Sequence, residues 1–137
     1  MDETGFVGSW TPKEPTTDEK AAALRPGGTG VCERTVEEVH TTSHTGSPIL
    51  STPMMISMME SVAYHMVQPL LPPGSVTVGY EVHVKHKAPA PLGAVLGICS
   101  RLLEVDGRKL LFEVRVLQGE KIIGEGLIRR TIIQSTG

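Results

Sequence analysis

Aromatic side chains are scarce. The 137 residues hold one Trp, two Tyr and two Phe, 4% in all. A platform that stacks single-stranded bases needs several aromatic faces, so this scarcity argues against one. Positive charge is short as well: 13 Lys and Arg stand against 15 Asp and Glu, for a net charge of −2. Nucleic-acid partners call for a basic surplus, and there is none. Two cysteines, Cys32 and Cys99, are too few for a disulfide framework. They read as small hydrophobes on strands. No apolar run reaches a membrane span, because the longest, over 53–67, is broken by Ser57, Glu60, Ser61 and His65. The opening residues, MDETGFVGSW, are acidic and lack the apolar stretch of a secretory leader. A reducing cytoplasm without membrane attachment is therefore the expected location. The length suits one domain with its own core.

The chain does contain one long apolar helix pattern, STPMMISMMESVAYHMVQPLLPPG, from Ser51 to Gly74. Thr52 is well placed as N-cap, with Ser51 as rival, and Pro53 suits the first turn because its missing N–H has no partner there anyway. Pro69, Pro72, Pro73 and Gly74 stop the helix near Gln68. A strand is expected from Thr29 to about Val39, and a Thr/Ser/Gly/Pro-rich loop between it and the helix. After Gly74 the period changes. SVTVGYEVHVKHK alternates, with Val76, Val78, Tyr80, Val82, Val84 and His86 on one face and Thr77, Gly79, Glu81, His83, Lys85 and Lys87 on the other. Three further strands follow APAPLG, with turns at Asp106-Gly107 and around Gln118-Gly119, and read as an antiparallel meander.

A helix apolar on most sides has to be wrapped. The pattern predicts an α+β hot-dog fold over 30–137: a curved antiparallel sheet rolled around one long central helix. Such a sheet leaves edges, and joining two sheets would hide one edge of each, so a homodimer is expected. Residues 1–29 read as a peripheral arm. It carries Trp10 and a short helix starting at Thr17 or Asp18.

Three residues stand out chemically. Glu60 lies among Ile56, Ser57, Ala63 and Tyr64 at helical spacing, where desolvation disfavours a carboxylate unless a cation or donors compensate. His86 ends the apolar face of its strand, whereas His83 falls on the opposite, solvated face. Thr52 stands at the helix start, where the amides of Met54 and Met55 are expected to be free for a developing oxyanion. Thr52 and Glu60 are separated by about 12 Å along the helix and about 80° around it, so they cannot meet at one atom from a single helix. Either the substrate lies along the helix, or the site combines Thr52 of one subunit with Glu60 of another at the dimer interface. The loop histidines His40 and His44 lack companion ligands, so no metal site is expected. The methionines, Met54 and Met55 among them, suit a core or a flexible acyl pocket. Gly124 and Gly126 permit a bend or a close approach.

The block from about Val31 to Gln134 resembles the fluoroacetyl-CoA thioesterase family, on STPMMISMMESVAYHMVQPLLPPG, TVGYEVHVKHKAPAPLG, LLEVDGRKL and IGEGLIRRTII. That family has a threonine at the helix start, a glutamate eight residues on and a histidine 26 beyond that, matched here by Thr52, Glu60 and His86. The resemblance also implies a pocket glycine and arginine at Gly79 and Arg130. It implies an acyl-CoA thioesterase that needs no cofactor. The fluoroacetyl-selective member carries gate phenylalanines before the helix, and HTTSHTGSPIL has none, so fluorine discrimination is not expected. The sequence leaves two other functions open: a non-catalytic acyl- or ligand-binding hot-dog module, and an enoyl-CoA hydratase-like enzyme. No suggestive Asp–His pair favours the hydratase.

Overall fold

The computed structural model describes residues 24–44 and 46–135. In chain order it holds β1 (Thr29–Thr35), β2 (Thr41–Thr42), β3 (Ile49–Leu50), α1 (Thr52–Val67), β4 (Ser75–His86), β5 (Val95–Asp106), β6 (Lys109–Gln118) and β7 (Lys121–Gln134). Short 3-10 turns precede β2 and follow α1. Five strands form one antiparallel sheet in the order β1-β5-β6-β7-β4, while β2 and β3 pair separately. This is the expected hot-dog architecture, with the meander in place. Its two hairpin turns sit one residue later than the sequence suggested, at Gly107-Arg108 and Gly119-Glu120. Gly107 and Gly119 take φ of 60° and 62°, and among the described residues no other residue type has positive φ. A left-handed first turn residue alone is the type II′ geometry, which matches the strand twist and favours glycine.

α1 is apolar for the reason its sequence implies. Met55, Met59, Ala63 and Val67, four residues apart, are each 0% exposed. They pack with Leu96, Ile98, Phe112, Val114 and Ile128 of the sheet. Burial of each large side chain contributes about 1.5–3 kcal/mol. The sheet can curve around the helix because β-bulges bend it at Tyr80, Leu103 and Ile123. Close approach also needs space. At Gly124 the Met55 side chain occupies the place a Cβ would take.

The bulge at Tyr80 corrects the face assignment of β4. A regular strand would set Thr77 and Gly79 opposite His86. The extra residue shifts the alternation, so Thr77 is buried, Gly79 meets Glu60, and Val84 and His86 still face the helix. Val78 and Tyr80 point away, 40% and 44% exposed. His83 is solvated as expected, bonded to Glu81 at 2.6 Å. β4 is one edge strand of the sheet, 12 residues long, and β1 is the other.

The N-cap is a second correction. Ser51 caps α1, its Oγ accepting from the Met54 amide at 3.3 Å, and Thr52 is the first helical residue. Ser51 is itself fixed by its N–H donating to the His40 carbonyl at 2.9 Å. The loop ahead of it is tied to the chain after β4, with Leu50 N–H on Ala90 O and Val36 N–H on Ala94 O.

Most of the expected N-terminal arm, including Trp10 and its short helix, lies outside the described residues. Its last part joins the body: Leu24 packs on the core, and Gly27 and Gly28 bond with Leu102. Among the described residues no helix is long and apolar enough to cross a membrane.

Ser51→Ala is expected to lower stability by about 1 kcal/mol through the lost cap. Thr52→Ala leaves that cap intact. Urea unfolding of the two variants side by side checks the assignment, and equal or reversed losses would contradict it.

Candidate active site

The residues singled out from the sequence fall into two clusters. The first is at the start of α1. Because Ser51 does the capping, the Thr52 hydroxyl is available, and it lies 2.7 Å from His86 Nδ1. His86 reaches that point from the end of β4, where the Lys87 and Ala88 amides both donate to the carbonyl of the bulged Ile123. His86 Nε2 is shielded from water and has no well-formed hydrogen bond among the described residues. Burial lowers the pKa of His86 below its ordinary 6.5, and the adjacent Ala88 backbone offsets only part of this. The imidazole is thus biased toward the neutral form, which can accept a proton.

Thr52 and His86 stand in the wall of an open cleft of about 630 Å³, together with Thr42, His44, Leu50 and Ala88. The amides expected to be free at the helix start are not. That of Met54 is held by Ser51 Oγ and that of Met55 by the Ser51 carbonyl. Met54 and Met55 are not in this wall either. Met55 is fully buried, and Met54 packs half-buried against the core.

The second cluster is two turns further along α1. The counter-charge that a half-buried carboxylate needs comes from Arg130 of β7, whose Nη1 donates to Glu60 Oε1 at 2.5 Å. Arg130 is only 7% exposed, so its remaining donors need partners too. Thr77 supplies acceptors for two of them. Its hydroxyl accepts from Nε at 2.9 Å and its carbonyl from Nη2 at 2.8 Å. The Tyr64 ring lies 5.7 Å from the guanidinium carbon. The other carboxylate oxygen, Oε2, lies over Gly79, where a Cβ would sit 2.5 Å away. One oxygen of Glu60 is thereby engaged and the other faces a surface kept bare by glycine.

Within one chain, then, Thr52 meets His86 and Glu60 meets Arg130 and Gly79, but the two groups do not converge. They are about 12 Å apart along the helix axis. The sequence required a cation or donors beside Glu60 without fixing which; within one chain Arg130 fills that place. Thr77 escaped the sequence reading altogether. Strand parity put it on the wrong face, and only the bulge turns it inward.

A family model described as fluoroacetyl-CoA-specific thioesterase matches residues 32–136. The chain belongs to that family. Within the fluoroacetyl-CoA-specific thioesterase family, a fluoroacetyl-CoA thioesterase of Streptantibioticus cattleyicolor is 31% identical over 85 residues, 62% of this chain. The matched stretch spans 61% of that relative's length. A solved fluoroacetyl-CoA thioesterase, FlK, superposes with a TM-score of 0.76 at 26% identity, covering 81% of this chain and 89% of that one. A hot-dog-like protein from Thermanaerovibrio acidaminovorans gives 0.73 at 21% identity, over 80% of this chain and 83% of its own, a likeness of fold alone.

Two outcomes are expected from this geometry. Thr77→Val leaves the buried Arg130 Nε without its acceptor and should cost about 1–3 kcal/mol in urea unfolding, with Thr77→Ser recovering most of it. The second concerns pH. A folded-state pKa below the unfolded value means that the unfolded chain binds a proton first as pH falls. The stability from His86 is therefore complete above about 6.5 and is lost as pH drops through its lowered folded pKa. The stability difference between wild type and His86→Gln should change in the same window, to the disadvantage of wild type. A difference constant from pH 7.5 to 5, on the order of the span a shifted histidine covers, would contradict it.

Proposed function

We propose that the protein hydrolyses the thioester of a small or medium acyl-CoA, using Thr52, Glu60 and His86 in a site assembled across a two-fold dimer. The observation that carries this reading is the state of Glu60. Arg130 holds Oε1, while Oε2 faces the bare surface at Gly79. A carboxylate with one oxygen fixed and its side chain still 27% exposed suits attack on a thioester carbonyl or on a water directed at it. The neutral bias of His86 suits the proton transfers that accompany either route.

The separation of the two clusters supports the dimer. β4 carries His86 at one end and Gly79 near its middle, and it is one of the two edge strands of the sheet. Pairing it antiparallel with its copy runs the His86 end of one strand toward the Gly79 region of the other. The Thr52–His86 pair of one subunit would then face Glu60 and Arg130 of its partner. The unpaired backbone edge of β4 would be satisfied at the same time.

In the covalent route Glu60 Oε2 attacks the carbonyl and the C–S bond breaks. The CoA thiolate leaves with a proton relayed through His86, and water opens the anhydride to release the acid and restore the carboxylate. In the other route Glu60 takes a proton from water, whose oxygen attacks the carbonyl; the C–S bond breaks, and the proton passes through His86 to the departing CoA thiolate. Thr52 and His86 orient the carbonyl, and one well-aimed donor to the oxyanion lowers the barrier by about 2.7–4 kcal/mol. Among the described residues no phenylalanine lines the cleft, which fits an enzyme that does not discriminate for fluorine.

Glu60→Gln, which keeps an acceptor for Arg130, and His86→Ala should each cut turnover of acyl-CoAs at least 100-fold, about 2.7 kcal/mol. The composite site has a sharper consequence. Mixing the two inactive variants as unfolded chains and refolding them together should restore activity to about a quarter of wild type, because half the dimers are mixed and each mixed dimer holds one intact site. Recovery of no activity from variants that are inactive singly would place the whole site in one chain. Oxygen-18 from water entering Glu60 in a single turnover would select the covalent route.

A further inference from the structure

The cleft at the start of α1 holds a second threonine–histidine pair. Thr42 Oγ1 lies 2.6 Å from His44 Nδ1, nearly repeating the Thr52–His86 contact of 2.7 Å. All four residues line the same cleft. Both side chains of this second pair are at least partly open to solvent, and neither belongs to the clusters used above. Thr42 sits in the short strand β2, which is paired in register with Ile49 of β3. β3 in turn is tied to the chain after β4 through Ile49 and Pro91. The threonine is thus held by a hydrogen-bonded ribbon at the cleft mouth.

In the tautomer in which the Thr42 hydroxyl donates to Nδ1, the imidazole of His44 presents Nε2–H as a donor. A donor fixed in this way selects for an oxygen on the bound group. The cleft is not arranged for an anion. Its lysine, Lys87, is already paired with Glu125 at 3.0 Å. The remaining wall near the pair, Ile49, Leu50 and Pro53, is apolar. An apolar wall with one neutral donor fits a short acyl chain bearing a hydroxyl or keto oxygen better than a carboxylate or a phosphate.

We propose that Thr42 and His44 form a specificity pair that favours acyl groups with a neutral oxygen, hydroxyacyl or ketoacyl, over plain alkyl chains of the same size. This rests on the thioesterase reading above. The pair acts on which acyl group is held, and bond breaking stays with the residues already assigned. A site that hydrogen-bonds a substrate oxygen discriminates against the analogue lacking it, because its donor is then left unpaired.

The test compares 3-hydroxybutyryl-CoA with the similarly shaped 3-methylbutyryl-CoA by thiol release. Wild type should favour the hydroxylated substrate by about 10-fold or more in kcat/KM, a modest ratio for a partly exposed site. His44→Phe and Thr42→Val should each bring that ratio close to one. Thr42→Ser, which keeps the hydroxyl, should retain it. A wild-type ratio near one overturns the proposal, as does a ratio unchanged in His44→Phe. Equal loss on both substrates in His44→Phe also overturns it, since the contact would then be to the shared CoA arm. Thiol release from neither substrate, nor from other acyl-CoAs, would remove the thioesterase reading and this inference with it, a result distinct from hydrolysis without preference.

Discussion

A carboxylate on an apolar helix requires a counter-charge, and Arg130 provides it. The rest of the local structure follows from that requirement. Arg130 is itself buried, so its donors need acceptors, and Thr77 offers a hydroxyl and a carbonyl together. Thr77 can do so only if it faces the helix, and Gly79 has to face the helix too if Glu60 is to fit. A guanidinium is suited to this position because its fork of donors can engage an acid and two further acceptors at once.

The bulge at Tyr80 makes this compatible with the position of His86. Gly79 and His86 are an odd number of residues apart, and in a regular strand they would lie on opposite faces. One inserted residue puts both on the helix side and turns Val78 and Tyr80 outward. The same irregularity bends the edge of the sheet. A single backbone feature therefore aligns Thr77, Gly79, Val84 and His86 beneath the helix and leaves an apolar outer row on an unpaired edge.

The helix start shows a similar division of tasks. Ser51, anchored to His40, does the capping. Thr52 is released from that role and meets His86. A threonine that capped the helix would have its hydroxyl turned to the backbone. The ribbon of β2 and β3 holds the chain ahead of the cap and carries Thr42 to the mouth of the cleft, so the same segment shapes the helix entry and the cleft wall.

Much of the fold was legible in the sequence. Prolines and a glycine bounded the helix, alternation marked the strands, and an apolar helix demanded a wrapping sheet. These are local signals: they depend on residue type and spacing over a few turns. Thr52, Glu60 and His86 could be named from the same chain order. What the sequence could not supply was orientation. A bulge has no dependable local code, and it reversed the facing of Thr77 and Gly79. The choice between Ser51 and Thr52 as cap turned on a hydrogen bond to His40, and the partner of Glu60 turned on a strand 70 residues away. Those outcomes depend on which segments the folded chain brings into contact, and only the tertiary structure decides that.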